Sequence, residues 1–346
     1  MIDSEFRLED GLTFDDVLIK PKYSEIMSRS EVDLSVSFPK GFKFDTPLTP
    51  SNMKTVCGQK MVQKMYEIRG LGLLHRFMEF DEKVSIIKSL SENKDWSSYI
   101  GVSIGVQDRD YVEVDKFIDM GTRIICIDVA HFASKIAVKI ANHIASKYPN
   151  ILLIAGSVAT GDGAEVAWEN GVDAVRVGIG NGSICLTRIE TGVGVPQLSA
   201  LMDVYERQQH RKRDGQPVGM IISDGGCSKP ADVAKALLFS DMVMAGNIFA
   251  GSDETPGEIV EKDGSLYKRY DGSSTHKTHR VEGVKSLVPY KGSVTNIFRR
   301  FHEGIQSACS YQGVNNLVSY KVAPQLIKMT NNGLRESGAH NVMVLT

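Results

Sequence analysis

Hydrophobic and polar positions along the chain alternate between two textures. Short apolar runs recur, each reaching Gly, Ser, Asn, Asp or His at or near its end: TPLTPSN (46–52), GLGLLHR (70–76), YIGVSIG (99–105), RIICIDVAH (123–131), NILLIAG (150–156), DAVRVGIG (173–180), VGMIISDGG (218–226) and DMVMAGN (241–247). Several lack the period-two alternation of a half-exposed strand, so both faces are covered, as in a parallel sheet. Between them lie stretches of helical period, such as QKMVQKMYEI (59–68) and DYVEVDKFIDMG (110–121). Strands of this kind, most followed by a helical segment, predict an α/β fold, the (β/α)8 TIM barrel; a doubly wound open sheet is the alternative.

A faint repeat supports adjacent βαβ units. LIAGSVATGDGAEVAWENGVDAVRVG (153–178) aligns without gaps onto IISDGGCSKPADVAKALLFSDMVMAG (221–246). Both read as strand, polar loop, helix, strand. Two stretches break the rhythm. Residues 251–292, rich in Gly, charge and hydroxyls, follow the eighth strand and read as a flap covering a site on the C-terminal face. The tail after 310 is mixed and polar. No boundary marks a second domain, so residues 1–346 are expected to form one barrel domain.

Composition adds exclusions. With 346 residues, 42% hydrophobic and 24% charged, the chain is an ordinary globular sequence able to fill a large core. A formal net charge of −2 gives no general attraction for nucleic acid or an anionic membrane. The basic run RQQHRKRDGQ (207–216) reads as a solvated helix end or loop. Cys57, Cys126, Cys185, Cys227 and Cys309 form no CxxC pair, which argues against structural zinc. Their odd number, and an N-terminus without an apolar signal segment, imply reduced thiols in a cytoplasmic protein. No apolar run approaches the ~20 residues of a membrane span.

Candidate chemistry gathers where a barrel would place it, at strand C-termini. Cys185 follows strand six, Asp224 ends strand seven, and Gly246 and Asn247 end strand eight. SDGG and AGN supply the small residues that close approach to a phosphate requires. Cys57, Cys126 and Cys309 read as core, and Cys227 is ambiguous. Cys185 differs, because GIGNGSIC is too glycine-rich for a core element and ends in a thiol near Arg188. It is either a nucleophile or part of a tight corner. The eight histidines show no HExxH spacing.

VRVGIGNGSICLTR (175–188) resembles the signature of the IMP dehydrogenase/GMP reductase family, in which the cysteine adds to C2 of a purine nucleotide. The likeness extends over nearly the whole chain, through LTFDDVLIKPKYSEIMSRSEVDLS, SNMKTV, LLHRF, IDVAH, TGVGVPQLSA, IISDGGC, FAGSDETPGE, YKRYDGSS and VEGVKSLVPYKGS. It implies the barrel independently of the strand reading. It also implies a choice between two branches. Reductases use NADPH to convert GMP to IMP and ammonia through a thioimidate; dehydrogenases oxidise IMP with NAD and hydrolyse the adduct to XMP, using an Arg-Tyr pair on the flap. The flap here offers His279-Arg280-Val281-Glu282 and no Arg-Tyr. The regulatory modules that dehydrogenases insert after strand two have no room between residues 76 and 99. TGVGVPQLSA, SDGGC and DVAKAL look like reductases, and SRSEVDLSVSF with LLHRF like a bacterial subgroup of them. ETPGE, GLRES and AHNV look like dehydrogenases. The resemblance therefore implies the reductase branch, with a dehydrogenase lacking its regulatory insert, or a non-catalytic nucleotide sensor, as alternatives.

By matched position, Cys185 is the expected nucleophile, with Thr187 and Glu282 protonating the departing amine. Arg76 stands where many relatives carry a lysine near the nicotinamide; a surface ion pair is its bland alternative. Asp224 is expected at the ribose, and Ser183, Gly226, Gly246, Asn247 and Tyr270 at the phosphate, although relatives usually carry Gly or Ser at the Asn247 position. Ser273 lines the nucleotide edge, and Asp128 and His131 face the dinucleotide. The carbonyls of Gly180, Gly182 and Cys185 match a monovalent-cation (K+) loop. The family's tetramers imply a homotetramer.

Overall fold

The structure is a computed structural model that describes residues 8–272, 284–339 and 342. All eight apolar runs form strands: β1 (Leu48–Pro50), β2 (Gly72–Leu74), β3 (Ile100–Ile104), β4 (Ile124–Asp128), β5 (Leu152–Val158), β6 (Ala174–Val177), β7 (Met220–Asp224) and β8 (Met242–Ala245). Every pairing among them is parallel, in the order β1-β8-β7-β6-β5-β4-β3-β2. The two ends of that sheet meet where the Thr49 hydroxyl donates to the Leu71 carbonyl at 2.7 Å. The sheet thus curls nearly to closure, as a (β/α)8 barrel and not as an open doubly wound sheet. Every residue of β1, β2, β3, β6 and β8 is buried, which is why these runs show no alternation.

Helices α1 (Gln59–Glu67), α2 (Phe80–Leu90), α3 (Asp108–Asp119), α4 (Lys135–Lys147), α5 (Gly161–Glu169), α6 (Gln197–Arg213), α7 (Pro230–Ala236) and α8 (Val294–Tyr311) follow the successive strands. The internal repeat corresponds to β5–α5–β6 and β7–α7–β8, and one device appears in both copies. Asp173, just before β6, accepts from the Leu153 N–H at 2.8 Å and pairs with Lys40 at 2.6 Å. Asp241, just before β8, accepts from the Ile221 N–H at 2.7 Å and pairs with Lys321. Each carboxylate ties the start of its strand to the strand two elements earlier.

The basic run requires a correction. Residues 207–213 continue α6, and two of its arginines are not simply solvated. Arg207 pairs with Asp162 and Glu165, and the buried Arg211 with Glu165 and Glu169, all on α5. The run is a helix end as expected, with His210, Lys212 and Arg213 exposed, but Arg207 and Arg211 face α5 and are fixed there by charge pairing. Arg211 is also held by the Pro217 carbonyl.

Outside the barrel rhythm, Val17–Ile19 pairs antiparallel with Leu326–Lys328, joining the two ends of the chain. The excursion after β8 contains a three-stranded antiparallel sheet, Val260–Lys262, Ser265–Asp271 and Lys285–Pro289. Its base is fixed. The buried Lys268 ammonium donates to the carbonyls of Ser252 and Thr255 at 3.0 and 2.6 Å. Glu254 accepts from the Ser293 hydroxyl and the Val294 N–H at the start of α8. Among the described residues no helix is long and apolar enough to cross a membrane.

Candidate active site

The C-terminal ends of the barrel strands surround a cavity of about 210 Å³, whose lining includes Arg76, Asp128, Cys185, Thr187, Asp224 and Tyr270. A second cavity of about 260 Å³ adjoins it along Asn181, Gly182, Gly225 and Tyr270, and extends to Ser183, Gly226 and Asn247. The expected nucleophile, ribose and phosphate residues therefore converge from the loops after β6, β7 and β8.

The chain turns sharply after β6. Gly178 has φ +153°, and a Cβ there would lie 2.1 Å from the Asp224 carbonyl oxygen, so only glycine lets the loop cross the end of β7. The loop then folds back through a Cys185 N–H bond to the Gly182 carbonyl at 3.0 Å. It leaves the Cys185 thiol half-buried, donating to the Thr187 hydroxyl at 3.2 Å. The other cysteines are buried, and burial pushes their thiols up: Cys57 and Cys309 to about 12, Cys126 to about 11, and Cys227 upward as well. Cys227, ambiguous in sequence, is a core residue. Cys185 alone of the five lines the first cavity, while Cys227 borders the second.

Beneath the cavity runs a string of alternating charges. Arg176, on β6 and 6% exposed, gives Asp224 two contacts through Oδ2 at 2.6 and 3.0 Å and Asp128 one at 2.7 Å. Asp128 in turn lies 3.4 Å from the Arg76 Nε, and the Arg76 guanidinium stacks 4.1 Å from the Phe77 ring centre. Arg76 is thus paired at the cavity wall instead of on the outer surface. Burial pushes the Asp224 carboxyl above the ordinary carboxylate range, partly opposed by Arg176.

Replacing Arg176 by methionine should expose what the pairing does. Asp224 would be left without its cation and Asp128 with Arg76 alone, and breaking a buried ion pair in this way typically destabilises by about 3–5 kcal/mol. Asp224, its pKa already raised, would rise further, so the folded state would hold more protons than the unfolded one above the ordinary carboxylate pKa. Stability of Arg176→Met should therefore fall as pH rises through that window. Thermal melts across the acid-to-neutral range check this; a variant as stable as the parent with an unchanged pH dependence would contradict it.

The remaining expected residues fall as follows. A Cβ on Gly246 would lie 2.4 Å from the Tyr270 hydroxyl, and Gly226 adopts φ +76°. Tyr270 is buried, which raises its phenol, while a hydrogen bond with Ser183 opposes the rise. Asn247 lines the second cavity and its carbonyl accepts from the Lys291 ammonium. Gly180 and Gly182 line the first cavity. His131 is exposed and stands outside the residues lining either cavity. Ser273 and Glu282 lie outside the described residues. Sequence reasoning missed Arg176, although a charge inside the apolar run DAVRVGIG was a legible signal. It also missed Asn181 and Gln197, whose roles depend on contacts sixteen and more residues apart.

Fold and site together define an α/β-barrel protein whose glycine loop presents a thiol at the C-terminal mouth, over a buried string of paired charges. The domain shared by IMP dehydrogenase and GMP reductase matches residues 11–340, and the chain belongs to that family. It is 34% identical to a GMP reductase of Onchocerca volvulus over 93% of this chain and 92% of that one. It is also 34% identical to human GMP reductase 2, over 95% and 96% of the two chains. An inosine-5'-monophosphate dehydrogenase of Nitrosopumilus maritimus is 26% identical over an alignment of 480 positions, covering 97% of this chain and 99% of that one. That alignment is longer than the 346 residues here, so the dehydrogenase carries segments that this chain lacks.

Proposed function

We propose that the chain is a GMP reductase, which uses NADPH to convert GMP to IMP and ammonia. The observation that carries the reading is the Cys185 thiol, half-buried and hydrogen-bonded to Thr187 in a cavity shared with Asp224 and Arg76. The Cys185 thiolate adds to C2 of GMP; the 2-amino group leaves as ammonia once protonated, and a Cys185–C2 thioimidate remains. Thr187, beside the sulfur, and Glu282 on the flap are the proposed proton relay. When bound, NADPH supplies a hydride to C2, after which the C–S bond breaks and the thiolate returns. Asp224 receives the ribose hydroxyls on Oδ1, since the Arg176 contacts fall on Oδ2. Gly226, Gly246, Asn247, Ser183 and Tyr270 receive the phosphate, and Ser273 the nucleotide edge.

The dinucleotide's residues are proposed from the opposite wall. Arg76, its Nε buried without a hydrogen bond, together with Phe77 and Asp128 offers a flat cationic and aromatic face suited to a nicotinamide ring and its ribose. His131, exposed just beyond, is proposed to contact the dinucleotide outside the cavity. The carbonyls of Gly180, Gly182 and Cys185 form a neutral oxygen set that suits K+. Gly182 already accepts from Cys185, which leaves it one lone pair for the ion. A cytoplasmic homotetramer belongs to the same reading.

The test is absorbance at 340 nm. GMP with NADPH should give steady consumption and stoichiometric ammonia, while IMP with NAD should give little XMP. XMP formed at a comparable rate would instead assign the dehydrogenase reaction, the reading that ETPGE and GLRES favour. Nucleotide binding with neither reaction would assign a sensor.

A further inference from the structure

We propose that Asn181 and Gln197 act as a positioning pair that clamps the Cys185 loop onto the end of β7, so that the thiol is held in register with the nucleotide's ribose and phosphate side. Asn181 lies in the loop four residues before the cysteine. Its carboxamide donates to Gln197 Oε1 at 2.6 Å and to the Asp224 carbonyl at 2.8 Å. Gln197, the first residue of α6 and 4% exposed, donates to the Val177 carbonyl at 2.7 Å and the Ser223 hydroxyl at 3.1 Å. Val177 ends β6, and Ser223 is its partner in β7. The two amides therefore join four segments: the end of β6, the nucleophile loop, the end of β7 and the start of α6.

The surrounding glycines fit this reading. A Cβ on Gly178 would sit 2.8 Å from Asn181 Nδ2, and one on Gly225 or Gly226 would sit 3.3 Å from it. The small residues that make SDGG look like a phosphate loop thus also make room for the Asn181 carboxamide. Asn181 lines both the thiol cavity and the adjoining cradle, so it stands between the two ends of one bound nucleotide. The half-buried Asn181 and the buried Gln197, joined to each other, to two backbone carbonyls and to the Ser223 hydroxyl, form a rigid connection, because movement of the loop leaves the buried Gln197 amide unpaired. Small displacements of a reacting atom are expensive: about 1 Å can cost 10²-fold in rate.

The clamp predicts coupled losses. Asn181→Ala and Gln197→Met should each speed iodoacetamide alkylation of Cys185 by about tenfold, because the loop is released. Each should lower kcat by tenfold or more while the KM for GMP stays within threefold. The double variant should be no worse than the more damaged single one, as expected of residues that act as a unit. The turnover measurement rests on the reductase reading; alkylation, followed by mass spectrometry of the Cys185 peptide, does not. If the parent protein fails to consume NADPH with GMP, that reading falls and alkylation alone decides the clamp. Should Asn181→Ala not fold, Asn181→Ser, which keeps a donor in the same space, should show the same direction at smaller size. Alkylation at the parental rate in the folded variants, or additive effects in the double variant, would overturn the proposal.

Discussion

Cys185→Ser should keep GMP binding and lose turnover by several orders of magnitude. The contacts proposed for the phosphate and ribose come from Asp224, Gly226, Gly246 and Tyr270, none of which the substitution touches. What changes is the nucleophile. A serine hydroxyl near neutral pH is far less ionised than a thiol, and the thiolate is the reactive form. The other cysteines cannot substitute, because burial pushes their thiols up and none of them lines the cavity that holds Cys185. Bound GMP should slow alkylation of Cys185 in the parent protein. Isothermal titration with GMP, together with the 340 nm rate, separates binding from chemistry. Near-normal turnover in Cys185→Ser would end the covalent mechanism.

The second large effect is expected at Glu282 and separates deamination from hydride transfer. Ammonia departs only if the 2-amino group gains a proton, and the Thr187 hydroxyl beside Cys185 is too weak an acid to supply it alone. Glu282→Gln keeps size and hydrogen bonding but removes the titratable proton. Deamination of GMP should slow by ~10²–10⁴-fold, the usual worth of general acid assistance, while GMP affinity holds. In the reverse direction, IMP with NADP⁺ should still yield the covalent adduct and NADPH in a single turnover, since that half-reaction releases no amine. Equal slowing of both half-reactions, or of neither, would remove Glu282 from the relay.

The barrel was legible because its signal is local and repeated. Most strands are short, largely apolar runs, five of the eight buried throughout, and each run ends in residues fit for a tight turn. The site followed from placement, since Cys185, Asp224 and Gly246 sit where strands end. Pairings between distant segments left no such trace. Val17–Ile19 meets Leu326–Lys328 across almost the whole chain, and strands so short have no readable period. The stretch after β8 reads as a flap but its three-stranded sheet does not show in the sequence, since Val260–Lys262 is exposed throughout and the other two strands are only partly buried. Arg176 stood in plain view inside an apolar run, but its meaning depends on Asp128 and Asp224, contributed by two other strands. The pairing of Arg207 and Arg211 within the basic run is illegible for a related reason: the partners Glu165 and Glu169 lie on another helix.

The sheet that carries the flap has a consequence for how such a protein changes. Asp271 and Lys285 are paired across two of its strands, and Lys268 and Glu254 fasten its base to the barrel and to α8. The segment between Asp271 and Lys285 therefore begins and ends at neighbouring, fixed points. Closure entropy between two such points grows slowly with the length of chain that joins them, by ~0.6 kcal/mol per doubling. The two anchored strand ends therefore accept connections of different length without refolding the sheet and barrel beneath them. In a barrel built this way, the positions of Cys185, Asp224 and Gly246 are set by the strands and do not depend on what joins those two ends.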